Sequence, residues 1–102
     1  MASYGFHSEA SEEYLAATRY YLDHASSLVA AAFVAEVEAA IQMLLASPTR
    51  WAVIEEPQIR RYLLKHFPYS IYYVSEPERD RVSIYAVMHF SRRPDYWRER
   101  LT

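Results

Sequence analysis

The spacing of apolar residues changes once along this chain, between Pro48 and Trp51, and that change sets what the chain can fold into. Before it, Ala30, Phe33, Val34, Val37, Ile41, Leu44 and Leu45 follow the i, i+3, i+4, i+7 pattern of an amphipathic helix. Ser26 and Ser27 are candidate caps for its start, and Pro48 ends it, because a proline pushes the preceding residue out of the helical region. An earlier helix is predicted from Ser8, at an N-cap position, to about His24. Glu9, Glu12 and Glu13 suit the positive end of its dipole. Its core stripe is Ala10, Tyr14, Ala17 and Tyr21, widened by Leu15, Thr18 and Leu22. So few residues separate the two helices that they should form an antiparallel hairpin.

After Trp51 the pattern is that of strands. Residues 59–66, 69–75 and 81–88 are rich in aromatic and β-branched types. His66-Phe67-Pro68 and the charged tip Glu76 to Asp80 are short enough to be hairpin turns, which gives an antiparallel meander. In the last strand, strict alternation places Val82, Ile84, Ala86 and Met88 on one face and Val87 on the other. Tyr4 and Phe6 share a face of a short N-terminal strand, and Pro94 opens a possible last helical turn. The expected fold is α+β: a short N-terminal strand and a helical hairpin packed on an antiparallel meander, as a single domain over residues 1–102.

Composition removes several classes of function. The single glycine, Gly5, excludes Walker A and dinucleotide-binding loops, which need several. Without cysteine there is neither a disulfide framework nor a thiolate metal site, and His7, His24 and His66 have no ligand spacing, so neither metal nor cofactor is expected. No apolar run is read as approaching the roughly 18–20 residues that span a bilayer, so a cytoplasmic protein with no membrane partner is expected. The net charge of −2 gives no global cationic field, but the charge is uneven. Residues 1–50 carry 2 basic and 6 acidic side chains, whereas residues 51–102 carry 9 and 7. An anionic partner belongs with the second half.

Four blocks of that half, in order, resemble the RelE/ParE toxins of type II toxin–antitoxin modules, also called plasmid stabilisation proteins. They are Arg60-Arg61-Tyr62-Leu63, Phe67-Pro68-Tyr69-Ser70-Ile71-Tyr72-Tyr73, Ile84-Tyr85-Ala86-Val87-Met88-His89 and Arg92-Arg93-Pro94-Asp95-Tyr96-Trp97. The N-terminal half resembles the family in its Ala- and Tyr-rich helix with the pair Tyr20-Tyr21. The resemblance implies a RelE/ParE-like fold and a cognate antitoxin of ribbon-helix-helix (ParD-like) type. It also implies one of two activities. RelE-type members cut mRNA on the ribosome, where attack by a 2′-hydroxyl needs a base, an acid and cations that converge on one phosphate. In this chain Arg61, His89, Arg92 and Tyr96 are the candidates for such catalysis. Three places where the ribonucleases carry cations hold Leu63, Ser70 and Phe90, so Arg92, Arg93, Lys65 or His89 would have to compensate. ParE-type members poison DNA gyrase without that cluster, and the favoured reading is such a non-enzymatic gyrase inhibitor, with Arg92, Arg93, Tyr96 and Trp97 binding the target. A family member that only binds its antitoxin is the third reading.

Each candidate also has a plainer role. Adjacent strand residues point to opposite faces, so one of Arg60 and Arg61 is expected to pair with a carboxylate such as Glu55 or Glu56. Imidazoles ordinarily change charge near neutrality, which suits acid–base work, yet a histidine at a strand end more often makes a structural hydrogen bond. Most of the tyrosines fit packing with the hydroxyl at the rim. The Glu9, Glu12 and Glu13 cluster fits a solvated helix start first, with the steering of a basic antitoxin segment as its functional alternative.

Overall fold

The computed structural model describes residues 2–55 and 58–91. In chain order these form β1 (Ser3–Phe6), α1 (Ser8–His24), α2 (Ser27–Ala46), β2 (Val53–Glu55), β3 (Ile59–Leu63), β4 (Tyr69–Glu76) and β5 (Arg81–His89). A 3-10 turn, Pro77–Arg79, joins β4 to β5, and Asp80 closes it in the left-handed region at φ 49°. The sheet has five strands in the order β1-β5-β4-β3-β2, antiparallel except where β1 runs parallel to β5. A parallel pair needs a long crossover, and the hairpin with the rest of the meander supplies it. The helical hairpin, the three strands of the meander and the α+β class agree with the sequence reading.

Several details differ from it. The segment at 53–55 forms a short strand that pairs with β3 and was not expected. β3 stops at Leu63 instead of reaching His66. The residue that caps α1 is His7, whose Nδ1 accepts from the Glu9 N–H at 3.2 Å, while Ser8 is the first helical residue. Ser26 caps α2 as expected, accepting from the Val29 N–H at 3.1 Å. Leu15 and Leu22 point away from the core and are about half exposed, so the buried stripe of α1 is narrower than the pattern suggested.

The alternation in β5 is broken by a bulge. Tyr72 pairs with Ala86 and Tyr73 with Ile84, which makes Tyr85 an extra residue on β5. One inserted residue exchanges the faces of everything beyond it. Val82, Ile84 and Val87 therefore pack with the helices, whereas Ala86 and Met88 join Ile59 and Tyr72 on the other side of the sheet. The main core is built from Phe33, Val37, Ile41 and Leu44 of α2, Ala10 and Ala17 of α1, and Tyr62, Ile71 and Tyr73 of the sheet. Burial of the Tyr73 phenol pushes its pKa up to about 12, with the Arg60 charge acting in the opposite sense, and the neutral O–H donates to the Pro48 carbonyl at 2.9 Å.

By length and apolar content α2 does meet the requirement for crossing a bilayer, contrary to the reading that no run approaches it. One face of it, with Phe33, Val37, Ile41 and Leu44, is buried in the core, whereas Leu28 and Met43 are exposed. The α2 residue Glu36 is tied to the turn after β3, accepting from the Lys65 N–H at 2.6 Å, the His66 N–H at 3.1 Å and meeting His66 Nδ1 at 2.7 Å. Burial alone would raise this carboxyl, but the bonds from His66 and Lys65 hold it below its ordinary value.

Candidate functional site

The register of β3, β4 and β5 decides which candidate side chains can act together. Residues directly opposite in an antiparallel pair project to the same side. Arg61 pairs with Tyr72, which packs with Ile59, Ala86 and Met88 on the face away from the helices. His89 pairs with Tyr69, which packs against the main core on the helix side. Arg61 and His89 therefore stand on opposite faces of the sheet. The described part of the ribonuclease set does not converge on one phosphate.

The face that holds Arg61 is neutral at its centre. Ile59, Tyr72, Ala86, Met88 and Ser70 are buried there, and Leu63 stands beside Arg61 on the same face. Arg61 itself is exposed and borders an edge cleft of about 350 Å³ with Trp51, Ile54 and Leu63. Arg60, on the helix side, donates through one nitrogen to the carbonyls of Thr49 at 3.3 Å and Trp51 at 2.5 Å. It thus braces the connection between α2 and β2. The carboxylates expected to pair with it, Glu55 and Glu56, lie outside the described side chains. The Arg60 Nε is buried and has no hydrogen-bond partner among the described residues.

His89 ends β5 inside an aromatic assembly. Its Nδ1 accepts from the Ser91 N–H at 3.0 Å and meets the Ser91 Oγ at 2.8 Å, and its ring stands edge-on to Tyr69 at 5.0 Å. Tyr69 packs on Phe33 at 5.3 Å, Phe33 on Tyr21 at 5.3 Å, and Tyr21 on Phe67 at 5.1 Å. The Phe67-Pro68-Tyr69 turn thus inserts two rings between the helical hairpin and the sheet. His89 has the structural hydrogen bond expected of a strand end. Arg92, Arg93, Tyr96 and Trp97 lie outside the described residues, as does the helical turn expected after Pro94. Among the described residues no group of three or more His, Asp or Glu is arranged to hold a metal ion.

A family model for the ParE toxin of the type II toxin–antitoxin system parDE matches residues 4–94. The chain belongs to the ParE toxin family. No curated protein matches it significantly. Among solved structures, a chain of the chromosomal ParDE toxin–antitoxin system from P. aeruginosa is similar with a TM-score of 0.71 and 16% identity, covering 87% of this chain and 95% of that one. The isolated E. coli RelE toxin superposes with a TM-score of 0.64 and 17% identity over 100% of both chains. At such identities the likeness establishes the shared fold, and the family match separates the branches. This ParE-type chain is the toxin component of a type II toxin–antitoxin module, and its family implies a cognate antitoxin.

Proposed function

We propose that this ParE-type toxin acts in the cytoplasm as a binding poison of DNA gyrase, held inactive by a ParD-like antitoxin, and does not cut RNA. The observation that carries this reading is the separation of Arg61 and His89 on opposite faces of the sheet, around a buried neutral centre. In-line cleavage needs a base, an acid and cations at one phosphate, and the described residues supply no such cluster. A poison that stabilises one state of its target needs only differential affinity for that state. The basic, aromatic segment with Arg92, Arg93, Tyr96 and Trp97 is the proposed contact with gyrase, since it concentrates cations and large rings in the second half of a chain whose first half is acidic.

The test is a plasmid cleavage assay with purified gyrase and toxin. Linear DNA trapped by detergent and protease should accumulate with the wild type. It should fall to background with Tyr96→Ala and Trp97→Ala combined, while the double variant still binds antitoxin. Full poisoning by the double variant would remove the tail from the target contact, and no trapped DNA with the wild type would remove gyrase.

A further inference from the structure

The sheet face turned away from the helices is buried more completely than its described neighbours explain. Tyr72 is 2% exposed and Met88 5%, and Ile59, Ser70 and Ala86 beside them are equally buried. Both helices pack on the opposite side, and the partly buried apolar side chain described against this cluster is Val74, from the same sheet. Strand neighbours about 5 Å apart shield a ring at its flanks but not from above, so a sheet face left to water keeps its large side chains partly wet. A tyrosine buried to this degree needs a second layer over it.

That layer has a limited outline. On the same face Leu63 is 50% exposed and Arg61 is exposed, while Val74 and Ser83 are half-buried. The cover therefore centres on Tyr72, spans β5, β4 and the start of β3, and stops short of Leu63. Three stretches lie outside the described residues and could supply it. Met1 precedes β1, whose Ser3 pairs with Arg81 at the far end of β5 from Met88. Residues 56–57 join β2 to β3 next to Ile59, but Met88 is two strands, about 10 Å, further on. Residues 92–102 follow Ser91 just beyond the Met88 end of β5, where the Phe90 N–H donates to the Pro68 carbonyl at 2.9 Å. Their length is about 36 Å if extended and about 16 Å if helical, and either reaches from Met88 to Ile59. Tyr96, Trp97 and Leu101 provide apolar area, and one buried aromatic side chain covers roughly 150–250 Å².

We infer that this face is an internal docking surface for residues 92–102, with Tyr96 and Trp97 laid over Tyr72, Ala86 and Met88 and the arginines of the segment turned to solvent. Rings against the sheet and guanidinium groups in water suit both kinds of side chain. The contact is made within the toxin and stands whatever its target. Only the statement that these same rings also meet gyrase rests on the proposed function.

The chain has no cysteine, so Arg98→Cys accepts a single nitroxide label. In the full chain the label should erase the methyl signals of Met88, Ala86 and Ile59, which return when the nitroxide is reduced, and leave those of Leu15 and Leu22 on α1 at full intensity. Equal loss on both sides, or none at Met88, would overturn the docking. Adding Tyr96→Ala and Trp97→Ala to the labelled chain should restore the three signals severalfold, and persistent loss would overturn the rings as the cover. The two readings fail separately. Signals restored in that double variant, together with full gyrase poisoning by its unlabelled form, would support the docking and remove the tail from the gyrase contact.

Discussion

Both faces of the sheet are apolar at their centres, and they differ in what surrounds the apolar residues. On the helix side, Phe33, Tyr21, Phe67 and Tyr69 interlock around a core that runs through both helices, and Glu36 latches α2 to the turn between β3 and β4. On the other side, a smaller cluster of Ile59, Tyr72, Ala86 and Met88 lies flat on the strands, with Arg61 and Leu63 beside it. Stability is therefore concentrated on one face. On the other face the described residues at the centre are neutral, with Arg61 at the margin.

Truncation on the two faces should show this directly. Phe33→Ala removes the ring on which Tyr14, Tyr21, Phe67 and Tyr69 pack, and about 3–5 kcal/mol of unfolding free energy should be lost in urea titrations. Met88→Ala, in the smaller cluster, should cost about 2 kcal/mol. A larger loss from Met88→Ala would reverse the ranking of the faces. Glu36→Gln should cost about 1–2 kcal/mol at neutral pH, because it weakens charge-assisted bonds from Lys65 and His66. Because the folded carboxyl is held below its ordinary value of 4.5, its contribution is present above that pH and is lost as the pH falls through the lowered one. The gap between wild type and Glu36→Gln should accordingly close in acid, and a gap independent of pH would assign the effect to packing. The smallest effect belongs to Arg61→Ala, an exposed position, which should change stability by less than about 0.5 kcal/mol.

Both helices, the three long strands and the hairpin connections were legible in the sequence because their apolar spacing persists over many residues. β2 was not, since three residues at 53–55 are too few to display a period. The bulge at Tyr85 was also invisible. Val82, Ile84, Ala86 and Met88 alternate faultlessly, and only pairing with β4 reveals the added residue that sends Ala86 and Met88 to the other face. The cap on α1 misled because Ser8 and His7 are adjacent and both can accept from a helix N–H. At the candidate site, spacing placed Arg61 and His89 on strands but could not give the register that parts them.

Purified toxin incubated with translating ribosomes and a defined message tests the central claim most directly. With no cationic centre among the described residues and Arg61 and His89 on opposite sides, the message should remain intact at every codon. Codon-dependent cleavage that disappears in both Arg61→Ala and His89→Ala would contradict it.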